Sequence, residues 1–431
     1  MLKFISQIWR SKDLRNKILF TIGAVVVFRI STQISIPGAN MDAIRAIFQN
    51  SNGLLGMLSA LTGGSAENFS IVMMGVSPYI NASIIVQLLA VIIPKLEALS
   101  KEGEQGQKVL NKYTRWLSLP LAFIQSYGTI LVLNSQASTP IIDNLQDPRI
   151  LLPIMLTITA GTVWLMWLGE IITEKGIGNG ISIIIFTNIV AGMPQIVAKS
   201  LTLGQVDSKA LIPFVTNILF TIILLVIIVI ITEAERKIPV TYAGHRFQGR
   251  GEQSSLPVKI NQAGMVPIIF AASLITFPGL IAQFMVRAKT LWVKDLGEYI
   301  ASIFSMDGAV YLIGYFLCII LFTYFYVSIT FNPKQVAENI QKRGGYIPGI
   351  RPGSQTVEYL KNVSTRLCLF GGAFLALVAV APTILSIILS GSGSIGNLIS
   401  GAGMIIVVGV VLELVRQINA QLVMHDYDKL V

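Results

Sequence analysis

Charge is scarce in this chain. Of its 431 residues only 13% are Asp, Glu, Lys or Arg, against roughly 25% in an ordinary soluble domain. So few charges cannot clothe the surface of a water-soluble fold of this length. With 53% hydrophobic residues, intrinsic disorder is excluded as well. Cysteine is nearly absent. Cys318 and Cys368 each stand inside an apolar run, which leaves neither a disulfide framework nor a CxxC metal site. The two histidines, His245 and His425, lie in polar stretches, so zinc and haem ligand sets are missing. No Walker or dinucleotide-binding glycine pattern sits in a strand–helix context. No cofactor is expected. What the chain has instead is apolar length. Its mean hydropathy of +0.70 is that of a polytopic membrane protein.

About 20 apolar residues cross a bilayer as a helix. Ten such windows follow one another, at about 18–36, 72–94, 116–134, 150–169, 181–198, 211–231, 264–286, 309–331, 367–389 and 401–422. Lys and Arg placement sets the direction of threading. With the N-terminus inside, the inner segments carry 24 of these residues and the outer segments 7, with Arg29 left inside the first window. Both termini are therefore predicted to be cytoplasmic. The basic start resembles a signal-peptide n-region. However, the first window runs into Ser35-Ile36-Pro37-Gly38 without a small-residue cleavage site and reads as a permanent span.

Ten spans invite a search for two fives. Gly75-Val76-Ser77-Pro78-Tyr79-Ile80-Asn81-Ala82 opens the second span, and Gly264-Met265-Val266-Pro267-Ile268-Ile269-Phe270-Ala271 opens the seventh. Both read GxxPxIxA. A repeat of five spans must be inverted across the membrane, an architecture that puts a path or site at the midplane between the halves. Between spans one and two lies an apolar run too short to cross, Leu54-Leu55-Gly56-Met57-Leu58-Ser59-Ala60-Leu61, closed by Gly63-Gly64. It reads either as a re-entrant helix, which would require a cavity around it, or as an amphipathic helix on the outer face.

Two cytoplasmic connections, about 232–263 and 332–363, are long for a compact bundle. In the second, Tyr346-Ile347-Pro348-Gly349-Ile350-Arg351-Pro352-Gly353 fixes a guanidinium on a tip punctuated by proline and glycine. This suits docking of an acidic partner or a nucleic acid backbone, and equally a solvated loop obeying the positive-inside rule. Arg29 is read as a mid-span charge facing protein or water. Glu413 and Arg416, at i,i+3 in the last span, are read as a mutually neutralising pair. The polar span residues are mostly amides and hydroxyls, such as Asn81, Gln87, Gln125, Ser273 and Thr276. No carboxylate pair, Ser–His–Asp set or nucleophile–base pair accompanies them, so the lining suits a conduit better than a catalyst.

Several stretches together resemble the SecY/Sec61-alpha family of protein-conducting channels, along essentially the whole chain. They are Phe28-Arg29-Ile30 with Ile36-Pro37-Gly38, Pro78-Tyr79-Ile80-Asn81-Ala82-Ser83-Ile84 and Lys101-Glu102-Gly103-Glu104. Further on come Trp167-Leu168-Gly169-Glu170-Ile171-Ile172-Thr173-Glu174 with Gly176-Ile177-Gly178-Asn179-Gly180-Ile181-Ser182, then Phe331-Asn332-Pro333 and Gly349-Ile350-Arg351-Pro352-Gly353.

The resemblance implies an all-α membrane protein with ten transmembrane helices in two inverted five-helix halves around a central pore. The halves would be residues 18–199 and 200–422, between a cytoplasmic segment 1–17 and a short tail 423–431. A re-entrant plug helix at 54–64 is implied, carried by Leu54, Leu55, Met57, Leu58, Leu61, Gly63 and Gly64. An apolar pore ring would be formed by Val76, Ile80, Ile181, Ile185, Ile269 and Ile406. Isoleucine is ordinary in any membrane helix, so the ring rests on the resemblance. The lateral gate is implied between spans two and three and spans seven and eight, with Asn81 and Phe277 facing each other and Gln87, Gln125 and Ser273 among its residues. Arg351 falls on a docking tip, and Arg246 and Arg250 on the other loop, whose tip is less densely basic than in many relatives. The implied partners are SecE and SecG as channel subunits, the SecA motor, the ribosome, signal-sequence-bearing chains and membrane lipids, with no direct DNA binding. The implied setting is the bacterial inner membrane, although a plastid thylakoid relative would look similar.

The chain is thus expected to be a passive channel, with nucleotide hydrolysis left to partners. The competing reading is a secondary solute or ion transporter, which inverted repeats alone would equally suit. The scarcity of midplane ionisable groups for coupling weighs against it. A membrane enzyme lacks reacting groups. The charge split makes a direct prediction. A cytoplasm-active reporter fused after Lys342 works and one fused after Lys294 does not; the opposite pattern overturns the ten-span topology.

Overall fold

The computed structural model describes Trp9 and residues 11–50, 64–137, 139–142, 147–206, 211–242, 254–286, 290–304, 308–389 and 400–428. The first half contains helices α1 (Lys12–Ser31), α2 (Met41–Asn50), α3 (Ser77–Ile92), α4 (Pro94–Lys101), α5 (Glu104–Gln136), α6 (Pro148–Lys175) and α7 (Gly180–Val206). Then come α8 (Leu211–Glu233), strands β1 (Glu235–Tyr242) and β2 (Ser254–Lys259), α9 (Val266–Met285), α10 (Leu291–Ile303), α11 (Ala309–Thr330), α12 (Pro333–Lys342), β3 (Gly345–Tyr346), α13 (Ser354–Leu389) and α14 (Gly401–Asp428).

Seven of these helices are long and apolar enough to cross a membrane, and the bent pair α3–α4 makes an eighth when its two helices are counted as one span. The other two predicted spans are also helical. α1 covers most of the first window and α9 most of the seventh. The outside of the bundle is as apolar as its inside. Ile222, Ile230, Leu317, Leu321, Leu377 and Ile388 are all largely exposed, as expected of a surface solvated by lipid tails.

Several predicted boundaries need correction: α5 and α13 begin at Glu104 and Ser354, well before their windows at 116 and 367, and α7 runs on to Val206. The first window extends to residue 36, but α1 stops at Ser31 and its C-cap Thr32. Arg29 is therefore in the last helical turn rather than mid-span. There a cation lies beside the negative end of the helix dipole. The second window begins at 72, whereas α3 begins only at Ser77. Residues 64–76 form successive turns, and Phe69, Val72, Met73 and Val76 among them are buried. Their backbone is satisfied locally and by a short pairing. The N–H of Ser70 donates to Ser65 O at 3.0 Å, that of Ile71 to Ile34 O at 3.0 Å and that of Ile36 to Phe69 O at 3.0 Å. At the other end, Ile93 and Pro94 stop α3, and the chain bends by 108° into α4. Proline disfavours helical backbone in the residue before it.

The glycine-rich motifs mark close backbone approaches. Gly180 N–H donates to Thr173 Oγ1 at 2.8 Å and Ile177 N–H to Thr21 Oγ1 at 3.1 Å. Asn179 Oδ1 accepts from the N–H of Ile181 at 3.1 Å and of Ser182 at 3.2 Å, which caps α7. In Phe331-Asn332-Pro333, Asn332 Oδ1 caps α12 through the N–H of Gln335 at 3.2 Å. Pro333 occupies the first helical position, where no N–H is needed.

The two long connections 232–263 and 332–363, read from sequence as separate loops, share one sheet of order β2-β1-β3. β1 runs antiparallel to β2 from Glu235↔Lys259 to Val240↔Ser254. At its far end it meets β3 through Thr241↔Tyr346 and Tyr242↔Gly345. Beneath the sheet lies a small core of Ile238, Val240, Val258, Ala337, Ile340, Ile347, Leu360 and Val363. α12, the sheet and the foot of α13 are therefore one packed unit.

Gly161 in α6 tests how tightly the bundle closes on the non-helical segment. An added Cβ there would fall on the carbonyl oxygen of Ile71, whereas one at Gly23 in α1 would meet nothing within 4 Å. Gly161→Ala is expected to lose about 1–3 kcal/mol through overpacking. Gly23→Ala should gain up to ~1 kcal/mol from helix propensity. The check is the fraction of purified protein still folded after stepwise heating in detergent. Equal midpoints for the two variants would place the close approach elsewhere.

Candidate functional site

The two GxxPxIxA copies adopt the same backbone. Gly75 has φ +57° and Gly264 φ +63°, the left-handed region that glycine enters without steric cost. Each glycine is followed two residues later by the first residue of a helix, α3 at Ser77 and α9 at Val266. Pro78 and Pro267 occupy the second helical position in each, where their missing N–H leaves no helical bond unmade. Ile80 and Ile269 then stand at matching places in the first turns. Ile80 N–H donates to Val76 O at 3.0 Å and Ile269 N–H to Met265 O at 3.4 Å.

All six residues assigned to the pore ring belong to the large apolar core that runs through most of the bundle. Val76, Ile185 and Ile406 are buried in it, and the half-buried Ile80, Ile181 and Ile269 pack against it. α3 supplies Ile80, with Val76 as its N-cap; α7 supplies Ile181 and Ile185 one turn apart; α9 supplies Ile269 and α14 supplies Ile406. The cluster thus draws on both halves of the chain. The halves touch where α3 meets α9, and on another side where α7 meets α8 and α14. Sequence reasoning missed Asn188, one turn beyond Ile185. It is 3% exposed, and its Oδ1 is buried without a hydrogen-bond partner. Its amide nitrogen lies 4.0 Å from where a Gly75 side chain would begin. Its only sequence signal was an amide in a largely apolar window that also holds Ser182, Thr187 and Gln195.

The other assigned residues scatter around this centre. Gly64, at φ +82°, opens the turn segment; Leu54, Leu55, Met57, Leu58, Leu61 and Gly63 lie outside the described residues. Of the gate set, Asn81 and Ser273 are half-buried on α3 and α9. Gln87 is exposed on α3 and donates from Nε2 to Ser83 Oγ at 3.1 Å. Gln125 is half-buried on α5, with its Oε1 buried and unpartnered. Phe277 lies within α9, and its side chain is outside the described residues. α3 packs on α5 and α9 on α11, so the pairs assigned to the two gate edges are built as pairs. Hydroxyls in the spans mostly turn back on their own helix, as Thr187 does onto Ile183 O at 2.8 Å and Thr323 onto Ile319 O at 2.7 Å.

The i,i+3 pairing of Glu413 with Arg416 is corrected. Arg416 Nη2 instead donates to Glu233 Oε1 at 2.6 Å. α14 continues to Asp428, and Arg416 reaches across to the last residue of α8 rather than back along its own helix. Both partners are nearly half exposed, so the bond orients the helix ends more than it stabilises them. A cavity of about 260 Å³ opens beside the pair, lined among others by Lys259, Asn261, Gln262, Tyr326 and Glu413. Burial, followed by the charge of Arg416, pushes the Lys259 ammonium below its ordinary pKa, against the opposing pull of Glu233 and Glu235. A second pair went unread: Arg115 Nε meets Glu170 Oε1 at 2.6 Å and links α5 to α6.

Arg351 is exposed on its tip, between Gly349 at φ +83° and Gly353 at φ +107°. Its carbonyl accepts from Thr356 Oγ1 at 2.9 Å, which ties the tip to the first turn of α13. Arg246 and Arg250 lie outside the described residues. Among the described residues, no group of three or more His, Cys, Asp or Glu side chains could hold a metal ion.

The profile of the SecY family matches residues 70–415. The chain belongs to the SecY family. It is 40% identical to the protein translocase subunit SecY of Streptomyces galbus, over 99% of both chains. It is 39% identical to SecY of Bacillus licheniformis over 99% of both, and 39% identical to SecY of Mycobacterium tuberculosis over 99% of this chain and 98% of that one. The fold is shared with a solved protein-conducting channel at a TM-score of 0.64, with 18% identity, covering 94% of this chain and 92% of that one. It is also shared with Sec61 from a canine ribosome–channel complex at a TM-score of 0.61, with 20% identity and the same coverage. A SecY chain solved to study the plug domain superposes with a TM-score of 0.63 at 21% identity, again over 94% and 92%. Like these SecY and Sec61 folds, the chain is a multi-pass helical membrane protein.

Proposed function

We propose that this chain is the channel subunit of a bacterial protein translocase. It passes unfolded secretory polypeptides across the inner membrane and releases apolar segments sideways into the lipid. The observation that carries this reading is that Ile80 and Ile269 stand at matching backbone positions of two repeated motifs and belong to one apolar core with Ile185 and Ile406. Full-length similarity to SecY chains supports it. The transporter alternative gains nothing from either.

In this reading residues 18–199 and 200–422 are the two jaws, both termini are cytoplasmic, and Leu54–Gly64 is the plug. Arg29 sits at the negative end of α1 rather than in the substrate path. SecE and SecG are the accompanying subunits, and SecA or the ribosome supplies the driving force, so that nucleotide hydrolysis takes place outside this chain. Two solved relatives of the same fold, the canine Sec61 complex and a yeast Ssh1 complex, were captured with ribosomes, which favours ribosome docking here.

A resting pore wide enough for a polypeptide must still hold back ions. The six assigned side chains carry no charge, so the barrier is apolar, and a hydrophobic constriction excludes ions by dewetting. Replacing Ile80 and Ile269 together with asparagine is expected to let ions leak through single channels in planar bilayers. Chains with defective signal sequences should also pass more readily. The leucine double variant should stay as tight as the parent. If the asparagine variant is equally tight, these isoleucines are packing and the seal lies elsewhere. Cross-linking of a stalled secretory chain to positions 80 and 269 separates a channel from a solute transporter.

Arg351 tests docking. A guanidinium grips phosphate or carboxylate through a two-pronged fork that lysine cannot copy, and such charge-assisted bonds contribute about 1.5–3 kcal/mol. Arg351→Glu is expected to weaken ribosome or motor binding by roughly tenfold or more while the folded complex survives, with Arg351→Lys intermediate. Unchanged binding by Arg351→Glu would make Arg351 a topology charge.

A further inference from the structure

Helix α10 was not expected from the sequence, and its surface divides into three sectors. One sector is packed. Gly297 is buried, and an added Cβ there would lie 2.6 Å from the backbone nitrogen of Val286 and 2.8 Å from Met285 Cβ. The helix backbone therefore rests directly on the end of α9. Val293, Ile300 and Ala301, on the same side, are half-buried. A second sector is polar, with Lys294, Asp295, Glu298 and Ser302 exposed and Lys294 Nζ 3.7 Å from Glu298 Oε1. The third sector is apolar and uncovered. Trp292 is 70% exposed, Leu296 39% and Tyr299 67%. Spaced i, i+4 and i+7, they form a single stripe along the helix.

Neither the packed sector nor the water-facing one accounts for this stripe. Its position does. α9 begins just after the sheet that joins the docking connections and runs for 20 residues, about 30 Å at helical rise. That is close to the thickness of a bilayer's hydrocarbon core. α10 is held against the far end of that span, at the opposite membrane boundary. The helices on either side of it in the chain expose a continuous lipid-type surface: Ile281 on α9, then Val310, Ile313 and Leu317 on α11, all more than half exposed. The stripe extends that surface sideways, and it consists of two aromatic residues and a leucine beside a charged face. Such a helix lies in the plane of the interface, with Trp and Tyr at headgroup level.

We propose that α10 is an interfacial helix that lays Trp292, Leu296 and Tyr299 into the headgroup–acyl boundary of the leaflet remote from the sheet, and so anchors the outer end of α9 to lipid. The occupant is the bilayer itself, not another protein chain. The inference goes beyond the proposed channel function and stands or falls separately from it.

The test uses the intact channel complex in phospholipid vesicles, with Cys318 and Cys368 replaced by serine and single cysteines placed at 292, 296, 299, 295 and 298 for nitroxide labelling. Labels at 292, 296 and 299 are expected to be more accessible to oxygen than to a water-soluble nickel complex. Their depth should be roughly 5–10 Å below the surface, whereas labels at 295 and 298 stay nickel-accessible. A parallel arm keeps the native cysteines and uses vesicles of phospholipid brominated near the top of the acyl chain. There Trp292→Phe should remove part of the quenchable tryptophan emission. Nickel accessibility at all five positions would show the helix standing in water and overturn the proposal. Labels at 292, 296 and 299 that are immobilised and shielded from both reagents would overturn it in favour of a protein partner.

Discussion

Within the hydrocarbon core of a bilayer no water is at hand to take up a spare N–H or C=O, and each one left unpaired costs several kcal/mol. That constraint shapes the whole chain. Long helices meet it trivially, because every bond stays inside the segment. The stretch from Gly64 to Val76 meets it differently. It is buried and non-helical, and it closes its bonds through successive turns and through the pairing of Ile34 and Ile36 with Phe69 and Ile71. Hydroxyls obey the same constraint by bonding back to their own helices. Irregular backbone is tolerated at membrane depth where protein surrounds it, and the close fit of Gly161 over Ile71 provides that surrounding.

The same constraint explains why the centre of the molecule is apolar. A bundle whose halves were joined by buried charges would have to satisfy every one of them in each arrangement it adopts. Branched apolar side chains impose no such requirement, because their contacts are individually weak and non-directional. Two ion pairs link helices of the described bundle. Arg416–Glu233 ties the ends of α8 and α14, and Arg115–Glu170 ties α5 to α6. Each joins helices of one half, so neither has to break if the two halves shift relative to one another. At the end that carries the sheet the logic changes. Two connections that each lack a core of their own share one, beneath β1, β2 and β3, so a force applied at either is felt at the feet of α8, α12 and α13 together.

Much of this was legible in the residues. Apolar length located ten helices, although α5 and α13 begin at Glu104 and Ser354, well before their windows at 116 and 367, and the motif residues fell where caps and close approaches need them. What escaped has physical reasons. The end of α1 at Ser31 was hidden because the residues after it stay apolar to Ile36, and hydropathy does not distinguish a helix from a buried extended strand. The pairing of β1 with β3 was invisible because it joins residues about a hundred positions apart, and that of β1 with β2 because its strands are short and partly polar. Arg416 was assigned to Glu413 because spacing along one helix can be read from sequence, whereas the neighbour helix that brought Glu233 closer cannot. α10 was missed because its two charged turns lower its hydropathy, although Trp292, Leu296 and Tyr299 were present at helical spacing.

The internal repeat shows how a weak sequence signal gains force from conformation. Four shared letters among common membrane residues carry little weight, since glycine, proline, isoleucine and alanine fill such helices anyway. Positive φ is a separate property, decided by the chain path and costly for any residue with a Cβ. Both copies place it at their first glycine, and both follow it two residues later with the start of a helix that carries proline at its second position. Two unrelated spans would have no reason to share that sequence of events. The glycine lets the chain turn sharply out of buried irregular backbone, and the proline starts the helix without demanding an N–H partner. The isoleucine two residues further on is thereby held in the first turn, at the edge of the cluster both halves share. In each half, then, the same short stretch closes the turn into a helix and sets an isoleucine at the edge of the shared core.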